Sequence, residues 1–337
     1  DSFGMDRDQP LTAASGKNQS VMQEAIADGI RCGVVNSGHI GEPGTAVFLA
    51  SVKSRRDVEA IAYQVITSGA EVIFCGGEIY LLPDGVEGVH GQPGRRTDGR
   101  NLIEKAKQAG YTVIFTREEL LALPSDSSKV LGIFSADNTY NSMSDEALNL
   151  SGWETYDPEA PTFAELTAKA LEILSSDPEK QFFLVAEEEG TDNFANATNA
   201  RGVIDATLRA DDAIGRVLDF AEENPEIPFL TLLAADSDAG KPAVFSQKWM
   251  KADRPLPAAS NTGAELDGAT GPETLPFVSA PDAAGIRHPF GIAWPYSKDM
   301  QGGVLARAAG YRSELLGTTI SNTGVYHILY KVLFGKD

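Results

Sequence analysis

Two apolar runs of this sequence end in acidic residues. The run at 182–186 leads into the acids at 187–189 and Asp192, and the run at 228–235 leads into Asp236 and Asp238. If both runs are parallel strands, their carboxyl ends meet at one edge of a sheet, where ligands gather. Carboxylates collected there are unfavourable unless a cation lies between them. The acids are therefore candidates for cation ligands, and the alternative is that they begin helices or loops and face water.

The elements that would position these acids follow the alternation of a mainly parallel sheet covered by helices. We predict strands near 32–36, 72–74, 112–115, 130–134, 182–186 and 228–235. We predict helices near 20–30, 57–67, 102–108, 163–174, 202–223 and 323–334. The predicted fold class is α/β, a three-layer sandwich in which a central, mostly parallel sheet has helices on both faces.

The domain organisation is predicted to be simple. Residues 1–337 are assigned to one domain. The Gly- and Pro-rich stretch at 83–100 is expected to be a surface loop. The stretch at 241–289, which contains Trp249, shows little periodicity, and we expect an irregular excursion that forms a cap or rim near the site.

An ordered series of motifs along nearly the whole chain resembles the alkaline phosphatase family. Glu187 followed by Asp192 resembles the family segment in which a Glu ends a strand and an Asp follows five residues later. Ala-Ala-Asp-Ser at 234–237 resembles the family's Thr-Ala-Asp-His, and Ser-Asn-Thr-Gly at 321–324 resembles its terminal His-Thr turn. Ala-Ser-Val-Lys-Ser-Arg at 50–55 resembles the family's Ala-His-Val-Thr-Ser-Arg.

The resemblance implies a metal-dependent phosphate monoesterase with two zinc ions and one magnesium ion. The family's three histidine ligands are replaced here by Asn196, Ser237 and Asn322, and Gly44 stands where the family has a Thr or Ser magnesium ligand. The implied metal ligands are Glu187, Asp192, Asn196, Asp236, Ser237, Asn322 and Glu42. Because these donors are all oxygen, we expect Mg²⁺ or Ca²⁺, with zinc bound weakly or lost.

The resemblance also assigns the remaining residues of the site. Arg55 matches the family arginine that grips the substrate phosphate, a task that suits a bidentate guanidinium. Glu188, Glu189 and Asp238 match no ligand and are expected to face water. His39 lies close to Glu42 in sequence and could approach the site, although a structural role is the simpler interpretation.

The nucleophile is the part of the family pattern that this chain departs from most. The family begins with a strand ending in Gly-Asp-Gly, followed by a Thr-Asp-Ser segment whose Ser attacks phosphorus. The Asp-Ser pair near the start here is Asp1-Ser2, and Ser2 lies closer to Gly33 than the family spacing would place it. Ser2 is the available candidate. The alternative expectation is that a preceding segment carries the nucleophile.

Composition limits the partners. The chain has 48 acidic and 28 basic residues, for a net charge of −20, so nucleic acid and anionic lipid are poor partners. No apolar run is long enough to span a membrane. Cys32 and Cys75 leave free thiols and one disulfide both open.

The function that the resemblance implies is hydrolysis of small phosphate esters by an exported protein, periplasmic or secreted, that could form a homodimer. Two alternatives remain. One is a catalytically silent relative that binds a cation or phosphate. The other is a phosphodiesterase or sulfatase-like hydrolase on the same scaffold.

Overall fold

The computed structural model describes residues 15–300 and 302–335. Its α-helices are α1 Val21–Ala27, α2 Pro43–Ala46, α3 Val58–Thr67, α4 Leu102–Gln108, α5 Arg117–Ala122, α6 Asp145–Ser151, α7 Phe163–Leu174, α8 Gly190–Asn196, α9 Ala200–Glu223 and α10 Asn322–Phe334. Its strands are β1 Arg31–His39, β2 Val72–Gly76, β3 Thr112–Ile114, β4 Val130–Ile133, β5 Phe182–Glu187, β6 Leu230–Ala234, β7 Ala243–Phe245, β8 Glu265–Gly268, β9 Gly271–Pro272, β10 Phe277–Val278, β11 Pro289–Trp294 and β12 Ala306–Gly310.

A five-stranded parallel sheet in the order β3-β4-β2-β1-β5 forms the centre of the fold. β1 lies between β2 and β5, with Val34 opposite Ile73 on one side and Val185 on the other. Its side chains alternate between two apolar clusters, as the pleat of a strand requires. Cys32 and Val34 pack in a cluster with α1, α3, α4 and α10, whereas Val35 packs in a cluster with α7 and α9. The predicted three-layer α/β fold is confirmed.

The last predicted strand of the sheet pairs differently from the sequence prediction. β6 pairs antiparallel with β12 and lies outside the five-stranded sheet. Within the described residues, β5 has backbone pairing on its β1 side only. The rings of Phe182 in β5 and Phe229 just before β6 nevertheless lie 5.7 Å apart. These two strands are therefore in contact through side chains and not through backbone hydrogen bonds. β6 is also less buried than its apolar sequence predicts, since Leu233 is 44% exposed.

The stretch at 241–289 is more regular than its sequence suggests. It holds β7 to β10; β7, β8 and β10 pair antiparallel with β11, and β9 pairs antiparallel with β8. Asp267 in β8 accepts a 2.8 Å hydrogen bond from the backbone N–H of Ala200, which fixes this sheet to the first turn of α9. Trp294 in β11 packs in the same region, against Ala195 and Ala200. The assignment of the whole chain to one domain stays a prediction.

Two further sequence expectations concern residues away from the site. The loop at 83–100 is not wholly a surface feature, because Arg96 is 1% exposed and donates to the carbonyl oxygens of Glu59 and Tyr80. Cys32 and Cys75 are both buried free thiols. No helix in the described ranges combines the length and apolar character that a membrane span needs.

Candidate active site

Glu187, the last residue of β5, is held by polar groups of the neighbouring strand. It lies opposite Asn36 of β1, whose amide nitrogen donates to Oε2 of Glu187 at 2.6 Å and to Oγ1 of Thr45 at 3.0 Å. A Cβ atom on Gly44 would lie 1.6 Å from Oε1 of Glu187. The Glu187 carboxylate can therefore take this position because Gly44 has no side chain.

A second glutamate shares the buried space with Glu187. Glu189 is 9% exposed, which corrects the expectation that it faces water. Burial, together with the charges of Glu187, Glu42 and Asp192, raises the pKa of Glu189 to about 10. Burial and the charges of Asp236 and Glu42 raise the pKa of Glu187 to about 7, against the lowering effect of its hydrogen bond with Glu189. These acids hold a proton between them because their charges are crowded.

Glu188 also departs from the expectation that it points to water. It is 8% exposed. Its Oε1 accepts from the hydroxyls of Ser37 at 2.7 Å and Tyr156 at 2.6 Å, and from the N–H of Gly190 at 3.1 Å. Asp238 is partly buried and its backbone exchanges hydrogen bonds with Met300, whereas the expectation that its side chain faces water stays a prediction.

The short helix α8 presents Asp192 and Asn196 one turn apart. The amide nitrogen of Asn196 lies 3.1 Å from Oδ2 of Asp192 and 2.7 Å from Oδ1 of Asp299, an acid that the sequence analysis did not select. Burial, followed by the charge of Asp299, raises the pKa of Asp192 to about 7. The amide oxygen of Asn196 is buried and has no hydrogen-bond partner among the described residues.

Glu42 and Arg55 meet beside the end of β1. Oε2 of Glu42 lies 3.8 Å from a terminal guanidinium nitrogen of Arg55, and Oε1 of Glu42 lies 3.2 Å from Nε2 of His39. These three residues line a cavity of about 420 Å³ together with Arg56. The Arg55 side chain is 62% exposed, so it is open to a ligand from solvent.

In the described part of the chain, no hydrogen bond links the predicted ligands Ser237 and Asn322 to the carboxylates of Glu187, Glu189 and Asp192. Ser237 is partly buried and its hydroxyl has no bonded partner there. Asn322 is exposed at the start of α10, and its amide oxygen accepts from the N–H of Thr323 at 2.8 Å. Ser2 lies outside the described residues.

The donor set fits a hard divalent cation in chemistry but is not arranged as a ready-made cage. Carboxylate and amide oxygens are ligands that Mg²⁺ and Ca²⁺ prefer, and the amide oxygen of Asn196 has its bonding capacity unused. Among residues 15–300 and 302–335, however, no three His, Cys, Asp or Glu side chains are grouped closely enough to hold a metal ion. Cation binding would have to draw the carboxylates of β5, α8 and the segment after β6 together.

Comparison with known proteins decides the family. A model of the alkaline phosphatase family matches residues 4–249, which include the ends of β5 and β6 and the Arg55 cavity. The chain belongs to the alkaline phosphatase family. A membrane-bound alkaline phosphatase from Bombyx mori is 30% identical over 246 residues, covering 65% of this chain and 43% of that protein. The alkaline phosphatase of Escherichia coli K12 is 25% identical over 249 residues, covering 64% and 51%.

The fold agrees with solved structures of alkaline phosphatases. The enzyme from the Antarctic bacterium TAB5 superposes with a TM-score of 0.67 at 18% identity, covering 94% of this chain and 76% of that one. A cold-active enzyme from a Shewanella species gives a TM-score of 0.68 at 19% identity, covering 98% and 79%. The chain spans about half the length of the curated alkaline phosphatases that it matches.

Three residues of the site escaped the sequence analysis for different reasons. Asn36 is a polar residue that directly follows the apolar residues Val34 and Val35 in β1, and that position was the available signal. Glu189 lies two residues after the selected Glu187 in a run of three glutamates, so only its burial distinguishes it. Asp299 reaches Asn196 across 103 positions of sequence, and no local pattern in the sequence signals such a contact.

Proposed function

We propose that this chain forms the phosphate-binding and cation-binding part of a phosphate monoesterase that depends on Mg²⁺ or Ca²⁺. The observation that carries the proposal is that Glu42, whose charge helps to raise the pKa of Glu187, also lies 3.8 Å from the exposed guanidinium of Arg55. The acids suit cations, and the guanidinium suits the nonbridging oxygens of a phosphate. Membership of the alkaline phosphatase family supports the same chemistry.

The cation would be held by Glu187, Asp192, Asn196 and Asp236, with Glu42, Ser237 and Asn322 as the further predicted ligands. A bound divalent cation supplies a lowered pKa for an attacking hydroxyl or water and stabilises the departing ester oxygen. In the TAB5 enzyme, a histidine-to-aspartate variant is known with Mg bound. An oxygen donor at a former histidine position is thus compatible with magnesium in a protein of this fold.

The chain's own residues have separate tasks in this proposal. Arg55 binds the nonbridging oxygens and orients phosphorus for attack. Glu42 orients Arg55 electrostatically, with its Oε2 3.8 Å from a terminal guanidinium nitrogen. Glu187 and Glu189 share a proton in the metal-free chain. Asn36 holds Glu187 at the end of β5 throughout.

The nucleophile is proposed to be a serine. Its Oγ bonds to phosphorus as the ester P–O bond breaks, and the proton lost from Oγ passes through water to the departing alcohol. A second water then cleaves the serine–phosphate bond, which releases phosphate and restores the serine hydroxyl. Ser2 remains the candidate within this sequence.

The test is a thermal-shift and phosphatase assay with Mg²⁺, Ca²⁺ or Zn²⁺ after chelation. We expect Mg²⁺ or Ca²⁺ to raise the melting temperature more than Zn²⁺ does, and Glu187→Gln and Asp192→Asn to abolish the shift. Arg55→Ala should lose monoesterase activity but keep the cation shift, whereas the exposed control Arg254→Ala should keep both. A cation shift that survives in both carboxylate variants would exclude these residues as the binding site.

The second candidate is a silent relative that binds a cation or phosphate without turnover. It is favoured by the lack of a preformed three-acid cluster in the described ranges, and by the amide oxygen of Asn322, which accepts from the N–H of Thr323 in α10. Cation binding without hydrolysis of mono-, di- or sulfate esters would establish it. Export and a homodimer remain predictions, to be tested by fractionation and by light scattering.

A further inference from the structure

His39 is fixed in one tautomer by its surroundings. Its Nδ1 accepts a 3.1 Å hydrogen bond from the backbone N–H of Gly41, so the ring proton of the neutral imidazole lies on Nε2. Nε2 is 3.2 Å from Oε1 of Glu42. The ring packs on Tyr80 with centroids 4.6 Å apart and is 15% exposed. The imidazole is therefore held as a directed donor to one oxygen of Glu42.

The backbone around His39 is shaped to allow this orientation. The β1–β2 register shifts between Val35 and His39, and such irregularities commonly re-aim side chains at functional sites. Gly77, which follows β2, has φ +95°, and a Cβ there would lie 2.8 Å from Cβ of His39. Glycine thus satisfies both the left-handed backbone and the close approach of the histidine.

Glu42 divides its two oxygens between a histidine and an arginine. Oε1 faces His39 at 3.2 Å, and Oε2 faces Arg55 at 3.8 Å, which is beyond a direct hydrogen bond. A carboxylate free of His39 could rotate onto the guanidinium and form the bidentate pair that Arg and carboxylates favour. That pair would occupy the donors that a phosphate needs.

We propose that His39 is a positioning residue that restrains Glu42, so that Glu42 orients Arg55 without occupying its phosphate-binding donors. This inference rests on the proposed function, because it assigns His39 a role in phosphate binding at that same site. The imidazole acts through Glu42 and does not itself contact the phosphate.

The experiment measures the dissociation constant of inorganic phosphate by calorimetry in Mg²⁺ buffer, with melting temperatures taken on the same samples. His39→Leu should weaken phosphate binding about tenfold, the equivalent of one hydrogen bond to a charged group. His39→Gln retains an N–H donor and should bind close to the parent protein. His39→Leu combined with Glu42→Gln should match Glu42→Gln alone, because a neutral amide does not pair with Arg55 as a carboxylate does.

The outcomes separate this inference from the proposal beneath it. If His39→Leu weakens binding equally with Glu42 and with Gln at position 42, His39 acts independently of Glu42 and the inference is wrong. Unchanged binding in His39→Leu also overturns it, while a loss in Arg55→Ala leaves the proposed site standing. Phosphate binding that is unaffected by Arg55→Ala overturns both.

Discussion

The amide nitrogen of Asn196 joins two acids from distant parts of the chain, lying 3.1 Å from Oδ2 of Asp192 and 2.7 Å from Oδ1 of Asp299. One neutral side chain thus links α8 to the segment that precedes β12. The same residue occupies a position where the alkaline phosphatase pattern has a histidine. Its amide therefore serves structure in the metal-free chain and leaves its oxygen available for a cation.

Removing that amide should destabilise the metal-free protein. Asn196→Ala leaves two carboxylates facing each other with no donor between them, so we expect a loss of about 1–2 kcal/mol in the free energy of unfolding. Urea unfolding in the presence of a chelator measures it. Asn261→Ala, at an exposed position, is the matched control and should change little. Equal stability of the two variants would mean that the amide bridge contributes nothing.

A methyl group at position 44 should damage the site while sparing the fold. The Cβ of Gly44→Ala would collide with the carboxylate of Glu187, which is the end of a side chain and can move. We expect unfolding stability within about 1 kcal/mol of the parent protein and a Mg²⁺ or Ca²⁺ affinity lower by about tenfold. Isothermal titration with each cation measures the affinity. Gly215→Ala in α9, where a Cβ would meet nothing within 4 Å, should leave it unchanged.

Stability should depend on pH through a buried acid pair away from the site. Asp145 is 3% exposed and Asp267 is 1% exposed. Burial and the charge of Asp267 raise the pKa of Asp145 from 3.8 to about 8. At pH values between these two pKa values, the carboxyl group of Asp145 is ionised in the unfolded chain but protonated in the folded chain. The free energy of unfolding therefore falls as pH rises through this window and levels off above it.

Asp145→Asn tests this dependence because it keeps an N–H donor toward Asp267 and cannot ionise. Its stability relative to the parent protein should rise steadily from pH 4 to pH 8, as measured by urea unfolding at several pH values. The exposed substitution Asp126→Asn should leave the parent profile unchanged. Parallel profiles for Asp145→Asn and the parent protein would contradict the assignment of the proton to this pair.

The two cysteines should be unreactive in the folded protein. Burial raises the pKa of both the Cys32 and the Cys75 thiols to about 12, and the thiolate is the reactive form. We expect a thiol reagent to modify neither at pH 8 until denaturant is added, when both should react. Modification of a folded sample at the rate of a free small thiol would show that these residues are accessible.

The sequence by itself determined the layers of the fold and the family. Apolar runs and amphipathic periods are local, so they identify β1, β2, β4, β5, α7 and α9 to within a few residues. The Glu187, Asp192 and Asp236 motifs keep the family's order and could be matched without coordinates. The charge of Asp236 helps to raise the pKa of both Glu187 and Asp192, and their role as cation ligands stays a prediction.

Only the tertiary structure decided which polar groups meet. The apolar sequence of β6 predicts a buried strand, but a strand's partner depends on which edge is available, and β6 pairs with β12. Glu188 and Glu189 read as solvent-facing because their burial comes from Ser37, Tyr156 and the end of β1, more than 30 residues away in sequence. Such contacts depend on long-range packing, and a one-dimensional pattern of residue types does not record it.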